Sequence, residues 1–195
     1  MDLLEIVAAV FGVVSVFLST RQNIWSWPTA IVNVAIYAVV FFRGRLYGQM
    51  GLQGVYFALS VYGWYQWRFG GADRSALRVS RASPRLLAGV LGLNVVAWLG
   101  LAMVLRRTDA ALPYLDALLT TTSLVAQWMM TRKLLENWLI WIAADLVYVP
   151  LFIQRDLPLT AVQYAVFLLL AALGWFGWRK SLRAQALATA PVSAG

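Results

Sequence analysis

The stretch Asn137–Gln154 carries a single charged side chain, Asp145, with Trp138 and Trp141 before it and Tyr148 after it. These four lie 3, 4 and 3 residues apart, which puts them on one stripe of a helix. A carboxyl group in so apolar a stretch stays charged only beside a cation or several hydrogen-bond donors; otherwise it takes up a proton. Aromatic faces beside it offer a flat cationic ligand both stacking and cation–π attraction. Other apolar runs hold further polar groups: Asn33 and Tyr37 four apart, Gln53, Gln127 and Gln163, and Asn137 at the start of the aspartate's own run. Asn33 has a second reading as an interhelical hydrogen bond. The hydroxyls of Thr120 to Ser123 have one as bonds back to their own helix. The candidate substrate-binding residues are Asn33, Tyr37, Gln53, Gln127, Asn137, Trp138, Trp141, Asp145, Tyr148 and Gln163.

The chain contains no histidine and no cysteine. That removes disulfides, thiolate catalysis, imidazole bases and the usual zinc and haem ligands. One acid inside a span gives hydrolysis or group transfer little to work with, so binding is expected rather than catalysis, with no cofactor and no metal.

These groups need a scaffold, and the composition says which kind. Of the 195 residues 62% are hydrophobic and 12% charged, against roughly 45–50% and about 25% in soluble domains. So few charges cannot cover that much apolar side chain in water. Charge-free runs cover Ile6–Thr20, Gln22–Phe42, Leu46–Trp67, Leu86–Leu105, Ala117–Thr131 and Leu157–Trp178, and Asn137–Gln154 is broken only by Asp145. The expectation is an all-α integral membrane protein with seven transmembrane helices near 3–20, 24–42, 47–67, 86–105, 114–131, 137–154 and 159–178. The first run lacks a basic leader and a cleavage site, so it is read as a helix that is retained. Trp67 and Trp178 read as members of an interfacial aromatic belt, Pro150 as a kink, and Gly48, Gly51 and Gly54 as a face for close helix contact.

With seven spans, 11 of the 16 lysines and arginines fall on the C-terminal side and 5 on the other. The positive-inside rule then puts the N-terminus outside and the C-terminus in the cytoplasm. The net charge of +8 is spread along one membrane face, so no nucleic-acid partner is expected.

At an offset of 111 the chain matches itself without gaps, with 13 identities in the 49 positions from 20 to 68. They include Trp27 on Trp138, Tyr37 on Tyr148, Trp64 on Trp175 and Trp67 on Trp178. This predicts a 3+1+3 arrangement. Residues 1–68 form the first three-helix repeat, 69–107 a basic loop and a linker helix, and 108–180 the second repeat. Residues 181–195 are expected to be a disordered cytoplasmic tail. The linker makes the repeats parallel, as in the SWEET sugar carriers, where the site lies between the halves near the midplane.

The strings from Asn23 to Trp67, Thr131 to Phe152 and Leu159 to Trp178 resemble the nicotinamide riboside transporter (PnuC) family, above all in YGWYQW (Tyr62 to Trp67) and ENWLIW (Glu136 to Trp141). The resemblance spans residues 1–180. It implies an inner-membrane, facilitative carrier of a small vitamin, with phosphorylation trapping the product, and a homotrimer in the lipid bilayer. Within the family pattern Asn33, Gln53, Gln127, Asn137, Trp138 and Trp141 fall on substrate-site positions, and Asp145 on one that holds Asn or Asp. Related branches carry thiamine or riboflavin. Nicotinamide riboside is favoured and thiamine, also a flat cation, is the alternative. A sugar carrier is more distant, since it needs no intramembrane acid. A retinal protein fails, because Lys133 and Lys180 both lie at membrane edges.

Overall fold

In lipid every backbone polar group must be satisfied within its own segment, so each apolar run folds as a helix. The computed structural model describes residues 3–108 and 111–189. Among them are seven α-helices: α1 (Leu3–Thr20), α2 (Ser26–Arg43), α3 (Tyr47–Phe69), α4 (Pro84–Leu105), α5 (Pro113–Thr131), α6 (Asn137–Gln154) and α7 (Pro158–Thr189). Prolines open α4, α5 and α7, where a missing N–H is no loss. Ser83 caps α4, its hydroxyl accepting from the Leu86 N–H at 3.2 Å. By length and apolarity α1, α2, α4, α6 and α7 qualify as membrane spans; α3 and α5 carry more polar side chains.

Within each set of three the helices pack in order, α1 on α2 on α3 and α5 on α6 on α7. The sets meet through α1 against α7 and α3 against α5, and α4 packs on α5. The offset of 111 recurs in the geometry. Gln22 and Lys133 have φ of 55° and 48°, and Arg45 and Asp156 have 58° and 55°. Each pair closes the same turn: Asn23 N–H bonds Leu18 O at 2.9 Å and Leu134 N–H bonds Met129 O at 3.1 Å. After α2 and α6, Leu46 N–H bonds Phe41 O at 2.8 Å and Leu157 N–H bonds Phe152 O at 2.9 Å.

Several expectations are corrected. The last helix does not end near 178 but runs to Thr189, so residues 181–189 are helical rather than disordered; residues 190–195 lie outside the described part. Its continuation is rich in helix formers, and Gln22 Nε2 donates to Ser181 Oγ at 2.8 Å where it passes the α1–α2 turn. Trp67 and Trp178 are not a surface belt: they are 2% and 0% exposed. Gly48, Gly51 and Gly54 face open space rather than a neighbouring helix.

Candidate substrate site and the tryptophan-filled end

Asp145 lies eight residues into α6, about 12 Å along the helix from its start. It is 2% exposed, and among the described residues no cation lies within ion-pair distance; the ion pair there is Arg81 with Glu136, at the arginine-rich end of the same helix. Its charge is felt by Tyr148, one turn on, and by Tyr164 of α7. Those two rings stand 4.5 Å apart, and Phe152 lies 5.0 Å and Phe167 5.7 Å from Tyr164. Ser123 of α5 is within hydrogen-bonding reach of both Tyr148 and Tyr56 of α3. Tyr37 of α2 is placed in the same way beside Gln163 of α7. Tyr148 and Tyr164 thus lie nearest the acid, and Tyr56, Ser123, Tyr37 and Gln163 extend this polar cluster from α3, α5, α2 and α7.

The ten sequence candidates divide between two levels. Asp145, Tyr148, Tyr37 and Gln163 belong to this tyrosine-lined level. Gln53 lies one turn before Tyr56 on α3 and Gln127 one turn after Ser123 on α5, both half-buried. Asn33 donates from Nδ2 to Ala8 O at 2.6 Å, with Gly12 leaving room for its amide, so it ties α2 to α1. Asn137, Trp138 and Trp141 sit toward the arginine-rich end. Tyr56, Ser123 and Tyr164 were missing from the candidate set. Their signal was present: each lies 3 or 4 residues from a candidate or beside one, on the same helix.

The arginine-rich end is filled by four tryptophans. Trp27 and Trp67 meet edge to face at 5.2 Å, Trp138 and Trp178 at 5.4 Å, and Trp67 and Trp178 join the pairs at 5.9 Å. All four are 2% exposed or less. Glycine makes the space: a Cβ on Gly63 would run into the Trp27 ring, and one on Gly174 into the Trp138 ring. The central pair is bonded in exchange. Trp67 Nε1 donates to Met130 O at 3.0 Å and Trp178 Nε1 donates to Ser19 O at 3.0 Å. Each indole thus reaches from one set of helices to the end of the first helix in the other.

Beneath this plug the α3–α4 loop is strapped to the α5–α6 turn. Ser80 N–H bonds Lys133 O at 3.0 Å, and Leu135 N–H bonds Ser80 O at 2.9 Å. Lys133 Nζ donates to Leu77 O at 2.9 Å and lies 4.4 Å from the centre of the Trp67 ring. Burial lowers its pKa from 10.5 to about 8. Glu136 accepts from the Ala82 N–H at 2.8 Å and from Arg81 Nε at 3.2 Å. Two cavities open at this end, one bounded by Gln66, Trp128 and Arg132 and one by Gln22, Trp67 and Lys133; neither is lined by Asp145 or its tyrosines.

This architecture matches known proteins along nearly its whole length. Residues 2–180 match the family described as nicotinamide mononucleotide transporter. The chain belongs to that family. Known proteins are similar to it at modest identity over most of their length. The nicotinamide riboside transporter PnuC of Escherichia coli (strain K12) is 25% identical, with 92% of this chain and 86% of that protein aligned. The riboflavin/roseoflavin transporter RibM of Streptomyces davaonensis is 29% identical over 89% of this chain and 83% of its own. A solved structure titled as the vitamin B3 transporter PnuC superposes with a TM-score of 0.74 at 26% identity, covering 93% of this chain and 82% of that one. The family and the apolar helices make this a multi-pass membrane transporter protein.

Proposed function

We propose that the chain is a facilitative transporter of nicotinamide riboside in the bacterial inner membrane. The observation that carries this is Asp145, an acid 2% exposed with no cation beside it. A buried carboxylate without a partner is unfavourable, and a nicotinamide cation seated against Trp141, Tyr148 and Tyr164 supplies one. Tyr37, Gln53, Gln127 and Gln163 then address the ribose hydroxyls, while Asn33, Asn137 and Trp138 hold the helices around the ligand. The homologues named for nicotinamide riboside support the choice of vitamin.

The same reading takes all seven helices as transmembrane, arranged 3+1+3 with parallel, SWEET-like repeats, residues 1–68 and 108–180, joined by the linker segment 69–107. The paired turns, ring contacts and indole bonds at the offset of 111 support it. The N-terminus is outside and the arginine-rich end cytoplasmic. The four tryptophans then close the cytoplasmic side, and rocking of the repeats opens it. Phosphorylation after release keeps the gradient inward. The protein assembles as a homotrimer.

The RibM relative favours a second reading, riboflavin, whose ring system is neutral. A thermal-shift panel of nicotinamide riboside, thiamine, riboflavin and a hexose separates the readings, because a ligand bound by the folded state raises Tm by an amount that grows with the logarithm of its concentration over Kd. Stabilisation by nicotinamide riboside, with Asp145→Asn weakening binding about tenfold or more and Arg78→Ala leaving it unchanged, is expected; a hydrogen bond to a charged group is worth roughly 1.5–3 kcal/mol. Stabilisation by riboflavin alone, indifferent to Asp145→Asn, overturns the choice of vitamin. Stabilisation by the hexose alone overturns the vitamin class.

A further inference from the structure

We infer a binding site for an anionic phospholipid in the cleft between α3 and α4 at the arginine-rich end. Both helices lie against α5, but α4 has α5 as its packing partner and leaves the space toward α3 unfilled. The glycines of α4 nearest this end, Gly89 and Gly92, have nothing within 4 Å. Where the cleft reaches the membrane surface it widens into a cavity of about 460 Å³ lined by Gln66, Ser80, Leu86, Trp128, Arg132 and Leu134.

The lining has the chemistry of a lipid at an interface. Leu86, Trp128 and Leu134 give the cavity an apolar wall, and further along α4 Leu93 and Val96 are 67% and 68% exposed. Gln66 and Ser80 supply polar groups at headgroup level. Arg132 supplies the charge. Its guanidinium is aimed by a bond from Nη1 to the Tyr62 hydroxyl at 2.8 Å and lies 6.0 Å from the Trp128 ring centre, with no acid paired to it. Tyr62 and Trp128 thereby hold a cation, without neutralising it, at the mouth of an apolar groove. Arg85 lies next to Leu86 at the start of α4. Basic pockets between helices at a membrane surface take anionic headgroups in this way. The occupant is a whole phospholipid rather than free phosphate, because a small anion would leave the apolar walls uncovered.

Native mass spectrometry of the detergent-purified protein tests this, after addition of phosphatidylglycerol, phosphatidylcholine or inorganic phosphate. The wild type is expected to retain phosphatidylglycerol about fivefold over phosphatidylcholine, the scale of one interfacial cation. Arg132→Gln should bring that ratio to about one. Leu86→Trp, which fills the cavity and leaves the charge in place, should do the same, and it serves if the arginine variant does not fold. Arg183→Gln, an exposed cation of α7 at the same end, should leave the ratio unchanged. Equal loss in Arg132→Gln and Arg183→Gln means diffuse attraction and overturns the site. Equal retention of the two lipids overturns it as well. Displacement of phosphatidylglycerol by phosphate at equal concentration assigns the pocket to a free anion and overturns the lipid.

Discussion

At the scale of single residues, the protein separates groups that bind from groups that make room. Asp145 is the clearest of the first kind, since its burial without a cation has no structural return. Gly63 and Gly174 are the clearest of the second, each lying under an indole that fills its missing Cβ. Gly63→Ala and Gly174→Ala should each destabilise the protein by about 1–3 kcal/mol, as overpacking of a filled core does. Gly51→Ala, in open space, should be neutral or gain roughly 0.5–1 kcal/mol from helix propensity. Thermal unfolding in one detergent compares the three, and equal loss in all would show that the indoles are not the reason. Asn33 shows where residue type misleads: the same amide that could serve a ligand donates to Ala8 O. Only its neighbour across the helix interface decides that.

At the scale of elements, the α3–α4 loop behaves as a strap rather than a connector. It is bonded to the α5–α6 turn through Ser80, and through the side chains of Lys133 and Glu136. The position equivalent to Lys133 in the first repeat is Gln22, which holds the extended α7 instead. The two turns share a backbone and differ in what they fasten. Lys133 has its pKa lowered to about 8 by burial, so between about 8 and 10.5 the unfolded chain holds a proton that the folded chain has released. Stability contributed through this group therefore rises with pH across that window. The Tm of the wild type relative to Lys133→Met should increase from pH 8 to 10, and a flat difference would remove Lys133 from the buried strap. Glu136→Gln, which keeps an acceptor for Ala82 N–H but loses the charge, should cost less than Glu136→Ala in the same measurement.

At the scale of the molecule, the reciprocal indole bonds join the two sets of helices where the path is filled. Each is worth about 1 kcal/mol net, so removing one should shift the balance between closed and open ends about fivefold. Trp67→Phe and Trp178→Phe keep the ring and lose the N–H. The chain has no cysteine, so a single one at the buried Ser60 reports accessibility without background. Labelling of Ser60→Cys from the arginine-rich side should be about fivefold faster in either Phe variant. Unchanged labelling would mean that these bonds do not hold this end shut.

Local sequence determined a great deal of this. Charge-free runs mark helices because lipid leaves the backbone no other way to satisfy itself, and the observed boundaries fall within two residues of the spans expected from them except at the far end of α7. The stripe through Asp145 was legible because helical spacing alone puts those residues on one face. What faces that stripe was not legible, because it depends on contacts between segments far apart in the chain. Tertiary structure alone brought Tyr164 of α7 to the acid, and Tyr56 of α3 and Ser123 of α5 to its neighbour Tyr148. It also turned Trp67 and Trp178 from expected surface anchors into the centre of a plug, because an indole that can bond a carbonyl across the interface and lie edge to face with its equivalent gains more inside than at the lipid surface.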